Sequence, residues 1–460
     1  MKLALGEHRT SAISSISDPV PMFARIETYA LLLALFLFAT GGAFLAPGME
    51  EHAQGMATVV SATAATGPLH LLELAIAFAI STKVTLSSWR GVAKMSAQMK
   101  LFTASALLAT LSFLWSLDPA LSLRSGLYLF FNTLFMYYLV QRFPLQELMR
   151  LMMGVGAVAA LMSIATAIVL PGYAWGSAGS HFALQGAFIA KNVLGNVAVF
   201  LLTPALFVRG MRLWVRTTYI FIMLALIVLS FSVQAWAAAL FCFFFAMVCI
   251  LFGRLSKKEA KWLAFVTMLP LLIVMLILLT YSTEILQFLG KDPTLSGRTI
   301  IWNAVLGSVL KRPMLGWGYN AFWQGFTGES GLVLLQVHFP IAQSQDGALD
   351  VLLGLGGVGL ALVLATFLQG FRSAVGCFRQ GTTDAARWYL LIILLTIGYS
   401  VGEANLQQPN MLPWMMYIMA CTGLASEVRR AREVRKAIQE CVKLEIGGSP
   451  WADEAERVSI

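Results

Sequence analysis

Three basic residues stand in short polar stretches beside long apolar runs. Arg298 lies in LSGRTIIW, Arg124 in LWSLDPALSLRSG and Lys191 in GAFIAKNVLGN. Arg298 and Lys191 fall at predicted helix starts, where a cation opposes the helix dipole by about 0.3–1 kcal/mol unless an anion is bound there. An arginine beside the free N–H groups of a helix start is well suited to phosphate or carboxylate. We therefore expect Arg298 to bind an anion.

The other two cations have structural alternatives. Arg124 follows Asp118 by six residues, so it either pairs with that carboxylate, reaches the membrane interface, or faces the same cavity as a second cation. For Lys191, the sequence is equally consistent with a binding role and with ordinary exposure to solvent. Glu73 and Glu403 lie in or near apolar runs, where a carboxylate is expensive and often functional. Either could instead be a structural partner of Arg124 or Lys191.

A further polar group precedes the apolar run at 347–364. It holds His338, Gln345 and Asp346, and His338 is the only histidine between positions 282 and 346. A lone loop histidine is often merely exposed, but its place just before a polar helix mouth makes it a candidate for acid–base chemistry. No His, Cys and carboxylate spacing is typical of a metal site, so we predict neither metal nor cofactor.

The elements that must position these residues are membrane helices. Of the 460 residues, 58% are hydrophobic and 12% are charged, and the mean hydropathy is +0.76. A soluble domain has roughly a quarter of its residues charged, so this chain cannot cover itself with polar groups. Its continuous apolar runs, of roughly 18–22 residues, are long enough to span a bilayer as helices.

We therefore predict an all-α, polytopic membrane protein with about twelve spans. The predicted span centres are Phe36, Ala77, Ala109, Phe131, Ala160, Phe200, Leu226, Phe245, Leu272, Val358, Leu395 and Tyr417. With both termini inside, all but six of the 32 Lys and Arg residues fall in inner segments, in agreement with the positive-inside rule. The six exceptions are Arg124, Lys191, Lys291, Arg298, Lys311 and Arg312. The same rule accounts for the net charge of +9, so no nucleic-acid partner is predicted.

Three parts follow from this topology. Residues 1–26 form an inner tail, residues 27–425 the transmembrane domain with a large outer loop at 282–346, and residues 426–460 a basic inner tail. We expect the basic tail to lie along the anionic inner leaflet, and a partner-binding helix is the alternative. In the loop, TIIWNAVLGSVLK is predicted to be a helix that ends before Pro313, where Lys311 and Arg312 suit the C-terminal end of the dipole.

Four separated stretches resemble the O-antigen ligase/polymerase superfamily, in particular its exopolysaccharide-production (ExoQ-like, Wzy-like) branch. They are LWSLDPALSLRSG, GAFIAKNVLGN, SGRTIIWNAVLGSVLKRPMLGWGYNAFW and AQSQDGALDVLLGLGGVGLAL. The similarity covers about residues 100–425. The third stretch is the most specific, with a GRT-x-x-W opening, a helix, a basic-proline stop and a G-x-G-x-x-x-F/W turn.

The resemblance implies a GT-C-like enzyme whose outward-facing cavity is capped by a long periplasmic loop. It implies metal-independent transfer of glycans carried on undecaprenyl diphosphate, with Arg298 stabilising the departing diphosphate. Arg124 and Lys191 match basic positions of the family and would flank the same diphosphate. Trp317, Tyr319, Phe322 and Trp323 are candidates to stack on sugar rings, and routine interfacial aromatics are the alternative.

The sequence departs from the family pattern at the polar helix mouth. Family members commonly read HN-G-x-L-D or QN-G-x-L-D, whereas this chain reads QDGALD from Gln345. Glutamine cannot act as a base. Three alternatives remain: His338 supplies an imidazole, Asp346 accepts the proton of the acceptor hydroxyl, or no base is needed and Gln345 only orients the sugar.

The function expected from the resemblance is polymerisation of lipid-linked oligosaccharide repeat units at the periplasmic face of the bacterial inner membrane. A ligase that transfers glycan to lipid A-core is the alternative within the family. A lipid-linked glycan flippase is the alternative from another class, but the exceptional cations cluster on one face rather than along a path through the spans. Membrane lipid, a chain-length regulator and export proteins are the expected partners.

Overall fold

The fold is a bundle of helices with one small hairpin. The computed structural model describes residues 22–41, 68–178, 181–252, 298–338 and 341–447. Its helices are α1 (Met22–Ala39), α2 (Pro68–Ser87), α3 (Trp89–Gln98), α4 (Lys100–Leu111), α5 (Pro119–Arg142), α6 (Leu145–Val169), α7 (Pro171–Ala174), α8 (Lys191–Phe207), α9 (Leu213–Leu229), α10 (Val233–Phe252), α11 (Arg298–Lys311), α12 (Gly328–Val337), α13 (Gly347–Gln380), α14 (Thr383–Ser400) and α15 (Leu412–Gly447). Strands β1 (Trp175–Ala178) and β2 (His181–Leu184) pair antiparallel, with Trp175 opposite Leu184.

The helical membrane fold is confirmed at the level of composition and length. Three described helices are long and apolar enough to cross a membrane, namely Leu145–Val169, Val233–Leu251 and Gly347–Gln380. Leu71–Ser87 and Trp89–Gln98 form a pair bent by 90° that counts as a fourth if the pair is one span. Every predicted span centre but Leu272 lies in one of the helices above. Leu272, Lys291 and the loop residues 282–297 lie outside the described residues, and the number twelve stays a prediction.

The centre of the bundle is formed by helices that are buried on every side. Residues 132–140 of α5, 194–205 of α8 and 412–424 of α15 are buried without interruption. A helix with no exposed face is enclosed by other helices rather than by solvent or lipid. The remaining long helices pack around these three and present apolar side chains outward, among them Ile168, Phe221 and Leu240.

The large loop has a small apolar core of its own. Ile301 and Val305 of α11 pack against Val333 and Leu334 of α12, which confirms the predicted loop helix. Lys311 at the end of α11 forms an ion pair with Glu329 at the start of α12.

Its neighbour Arg312 joins the loop to the residues that precede α5. The Arg312 guanidinium lies 4.3 Å from the centre of the Trp317 indole and donates to the carbonyl of Trp115 at 3.3 Å. Lys311 lies in the last turn of α11, as expected, and both basic residues have structural contacts within the loop region.

Helix α13 is broken one quarter of the way along its length. Gly356 has φ +63° and ψ −163°, a conformation that is essentially restricted to glycine. The carbonyls of Leu353 and Gly354 accept hydrogen bonds from the N–H groups of Trp317 (2.7 Å) and Gly318 (3.0 Å). The break therefore creates a half-helix, residues 347–355, that is fastened to the loop and carries the polar residues of the helix mouth at its start.

Candidate functional site

Arg298 and Gln345 meet at the start of the loop helix. The Nε of Arg298 donates to Oε1 of Gln345 at 3.1 Å, across 47 positions of sequence. Both side chains are partly buried. Gln345 has φ +55°, a left-handed conformation that is uncommon for residues other than glycine and often found at functional sites. The segment before the half-helix is thus shaped to present this amide to the guanidinium.

Glu403 lies beside the same guanidinium, in the turn that follows α14. Burial raises the pKa of its carboxyl, while the positive charge of Arg298 and a hydrogen bond from Asn192 act to lower it. No ion pair within 4 Å joins Glu403 to Arg298 in the part of the chain that the structure describes. A Cβ placed on the adjacent Gly402 would lie 3.3 Å from Nη1 of Arg298, so the turn packs closely on the arginine.

We refer to Arg298, Gln345, Glu403 and Asn192 as the arginine cluster. It draws one residue each from α11, the segment before the half-helix, the turn after α14, and α8. Lys191, the first residue of α8, is the direct neighbour of Asn192. Lys191 has no ion-pair partner within 4 Å among the described residues. The structure therefore brings Glu403 next to Arg298, rather than into an ion pair with Arg124 or Lys191.

A cavity of about 360 Å³ with both polar and apolar walls opens near the arginine cluster. Its walls are α2, α5, the turn at 318–323, the half-helix with the segment before it, and the turn at 406–410. The polar and aromatic lining residues are Arg124, Ser125, Tyr128, Tyr319, Asn320, Phe322, Trp323, Gln343, Asp350, Gln407, Gln408 and Asn410. Amide groups and aromatic rings with few charges are suited to bind neutral hydroxyl-rich molecules, since amides both donate and accept hydrogen bonds.

The cavity and the arginine cluster are neighbours. Gln343 lines the cavity, and Gln345, two residues later, binds Arg298. Two residues of extended chain span at most about 7 Å. The turn after α14 likewise carries Glu403 at the cluster and Gln407 at the cavity.

Several cavity-lining side chains belong to a hydrogen-bond network in which two acceptor oxygens have no donor. Oδ1 of Asp350 accepts from the backbone N–H of Ser344 (3.1 Å) and from the indole of Trp323 (3.3 Å). The hydroxyl of Tyr319 donates to the carbonyl of Gln407, whose own side-chain amide donates to Ser105. Asp350 Oδ2 and Gln407 Oε1 are buried and have no protein hydrogen-bond partner in the described part of the chain. Hydroxyl groups of a bound molecule could supply the missing donors.

Arg124 lines the cavity and is partly buried. Asp118 caps α5 instead, accepting from the N–H of Leu121 at 2.9 Å, and no ion pair within 4 Å joins Asp118 to Arg124. Glu73 is fully buried and accepts a hydrogen bond from Thr40 at 2.8 Å, which ties α2 to the end of α1. Arg124 is therefore available to a cavity ligand, whereas Glu73 has a structural contact.

Six of the predicted site residues do not line the cavity. Arg298 and Gln345 belong to the arginine cluster, Lys191 adjoins it, and the other three are His338, Asp346 and Trp317. His338 is exposed at the end of α12, with Nδ1 2.9 Å from the carbonyl of Gln336. Asp346 caps the half-helix by accepting from the N–H of Leu349 at 2.9 Å. Trp317 is buried in the loop core, and its indole donates to the carbonyl of Ser308 at 3.0 Å. Their roles in catalysis or sugar binding stay predictions.

The side-chain amides that line the cavity are not among the site residues predicted from the sequence. Gln407, Gln408 and Asn410 lie in NLQQPNM, a polar break between two apolar spans, and this break was a usable signal. Asn192 follows Lys191 directly, in a stretch already singled out. Within the described residues no group of three or more His, Cys, Asp or Glu side chains is placed to hold a metal ion.

Comparison with known proteins places these residues in context. Residues 218–364 match the family model for O-antigen ligase. The chain is also similar to the exopolysaccharide production protein ExoQ of Rhizobium meliloti (strain 1021), with 27% identity over 233 residues. That alignment covers 49% of this chain and 53% of the relative, so the chain spans about half the length of the curated relative it matches. Arg298, Gln345 and Asp350 lie inside the matched domain, while Glu403 follows it.

Proposed function

Since this chain belongs to the O-antigen ligase/polymerase superfamily, we propose that it is a membrane glycosyltransferase that polymerises oligosaccharide repeat units carried on undecaprenyl diphosphate. The reaction takes place at the periplasmic face of the bacterial inner membrane, within the transmembrane domain 27–425 and under the loop 282–346. The products are a longer glycan and free undecaprenyl diphosphate. A chain-length regulator and export proteins are its expected partners.

The observation that carries this proposal is the arginine cluster beside a cavity whose walls include amides and aromatic rings. A guanidinium has five N–H donors, of which one is held by Gln345. This contact orients Arg298 while the group keeps its charge for a diphosphate. The neighbouring cavity is lined by amides and aromatic rings, which suits sugars.

In this mechanism the diphosphate binds to Arg298, and Lys191 adds positive charge from the start of α8. The sugars extend into the cavity, where Tyr319 and Arg124 contact them. As the bond between the anomeric carbon and the diphosphate breaks, Arg298 stabilises the negative charge that develops on the leaving group. Such electrostatic stabilisation is usually the largest single contribution to catalysis, on the order of 10²–10³-fold for one donor. No step is assigned to a metal ion.

The test is complementation of a strain that lacks the gene, read as glycan chain length on a gel. Arg298→Ala should leave single repeat units, and Arg298→Lys should restore little polymer, because lysine cannot reproduce a planar two-pronged contact with diphosphate. Arg209→Ala is the matched control. Arg209 pairs with Asp384 and its side chain is 71% exposed, so this variant should make full-length polymer. Full-length polymer from Arg298→Ala would disprove the diphosphate-binding role.

The alternative activity is that of a ligase, favoured by the description of the matched domain, O-antigen ligase. A ligase would leave polymer length unchanged when it is deleted and would abolish the attachment of polymer to lipid A-core. The same gel distinguishes the two. A flippase would differ again, because its loss would strand single repeat units on the inner leaflet.

A further inference from the structure

Glu403 is a buried carboxylate in the arginine cluster, and among the described residues its side chain interacts with Asn192 and with the charge of Arg298. It lies in the turn 401–411, where its backbone N–H donates to the carbonyl of Tyr399 at 3.0 Å and its carbonyl accepts from Asn405 at 2.8 Å. These backbone bonds fix the turn. The side chain of Glu403 interacts instead with the amide of Asn192 and with the charge of Arg298.

The other residues considered for proton transfer are engaged elsewhere. Gln345 cannot accept a proton, and its oxygen holds Arg298. One oxygen of Asp346 caps the half-helix. The ring of His338 is exposed, and its Nδ1 contacts the carbonyl of Gln336. Gln345 is therefore not a base, Asp346 serves as a helix cap and His338 lies exposed, whereas the buried carboxylate of Glu403 interacts electrostatically with Arg298.

We propose that Glu403 is the general base that accepts the proton of the acceptor hydroxyl. This inference rests on the proposed function and names a catalytic residue for it. The acceptor sugar lies in the cavity, and the turn that lines the cavity with Gln407 also carries Glu403. The base and the leaving-group cation are then side by side at the point where the two substrates meet.

The step balances without an added reactant. The oxygen of the acceptor hydroxyl forms a bond to the anomeric carbon of the donor, and its proton passes to the carboxylate of Glu403. The bond between that carbon and the diphosphate oxygen breaks, and its electron pair leaves with the diphosphate on Arg298. Glu403 then returns its proton to solvent.

The surroundings of Glu403 set its pH response. The groups that face it are the guanidinium of Arg298 from α11, the amide of Asn192 from α8 and the phenol of Tyr399 from α14. Burial has the largest effect and raises the pKa of Glu403. The charge of Arg298 and the hydrogen bond from Asn192 reduce that rise without removing it. A base must be deprotonated, so the rate should increase with pH through this raised pKa and then level off.

The experiment compares Glu403→Gln with the wild type in purified full-length protein reconstituted into phospholipid vesicles. The substrate is the lipid-linked repeat unit extracted from the deletion strain, and initial rates are measured from pH 5 to 9. Binding of undecaprenyl diphosphate is measured in parallel. Glu403→Asp tests rescue by a shorter carboxylate. Glu329→Gln is the control, because Glu329 pairs with Lys311 in the loop.

We expect Glu403→Gln to lose about 10²–10⁴-fold in rate, the usual contribution of general-base catalysis, and to lose the rise with pH. Its affinity for undecaprenyl diphosphate should be equal or higher, since a negative charge near the binding site is removed. Glu403→Asp should recover part of the rate together with the pH dependence.

Two results would overturn the inference. The first is a Glu403→Gln rate within tenfold of wild type with the same pH profile. The second is a parallel loss of rate and of undecaprenyl diphosphate binding, which would make Glu403 a positioning residue for Arg298. In both cases the proposed function is judged separately, by Arg298→Ala. An inactive Arg298→Ala variant would support the proposed function even though Glu403 is not the base, whereas an active one would disprove that function.

Discussion

Gln345 contacts Arg298 through a hydrogen bond, and its amide is not a base. Its amide oxygen accepts from Nε of Arg298 at 3.1 Å, and a hydrogen bond to a charged group contributes about 1.5–3 kcal/mol. Its backbone adopts a left-handed conformation, φ +55°, to bring this oxygen into place. We therefore propose a positioning role for Gln345 at this site.

Gln345→Ala should weaken the binding of undecaprenyl diphosphate by roughly tenfold or more, because the guanidinium loses the contact that orients it. The measurement is titration of the purified protein in vesicles with undecaprenyl diphosphate. Gln336→Ala is the matched control, since that exposed side chain lies on α12 of the same loop. Unchanged affinity in Gln345→Ala would show that Arg298 is held by other contacts.

At the scale of elements, the half-helix 347–355 is the part on which both the cavity and the arginine cluster depend. Asp350, Val351 and Leu353 of this half-helix line the cavity. The segment before it carries Gln343 and Gln345. At the break, the N–H of Gly357 donates to the carbonyl of Pro313 at 2.7 Å, so the freed backbone groups are paired within the protein, as the membrane interior requires.

Gly356→Ala should lower both the thermal unfolding midpoint and the activity. A Cβ at this position would lie 2.3 Å from the carbonyl carbon of Met314, and the backbone strain alone costs about 1–3 kcal/mol. The midpoint is measured for the detergent-purified protein. Gly307→Ala is the control: no atom lies within 4 Å of its Cβ, and alanine is favoured over glycine in an exposed helix. Equal midpoints for the two variants would contradict the described break.

The elements differ in how far the sequence could predict them. The helix Arg298–Lys311 was predictable, because its apolar spacing and its basic-proline stop are local signals. The break in α13 could not be predicted, because apolar residues continue on both sides of it and the hydropathy does not change there. The glycines Gly354, Gly356, Gly357 and Gly359 were the only available sign.

The site was predictable in part for a similar reason. Arg298 is marked by its charge against the topology and by its motif. Arg298 and Gln345 are 47 positions apart in the sequence, and no local sequence pattern predicts a contact over that separation. Glu403 was recognised as an unusual carboxylate, but its partner depends on how α8, α11 and the turn after α14 pack together, which periodicity does not specify.

At the scale of the whole molecule, the chain is a multi-pass membrane protein. Its orientation across the membrane is a prediction that rests on the inner position of most Lys and Arg residues. The last helix, α15, has 36 residues, so at 1.5 Å per residue it is about 54 Å long and exceeds a hydrocarbon core of about 30 Å. The basic tail is therefore continuous with the last helix as far as Gly447, and the boundary predicted at residue 426 falls within that helix.

We propose that glycan transfer and diphosphate release are one event at Arg298. The most direct measurement uses purified protein in vesicles that contain the lipid-linked repeat unit, and counts glycosidic bonds formed and undecaprenyl diphosphate released. We predict one released diphosphate for each bond in the wild type, and at most about one hundredth of that rate in Arg298→Ala, given the size of a lost electrostatic contact in a catalytic site. Polymer formed without diphosphate release, or at the wild-type rate by Arg298→Ala, would contradict the account.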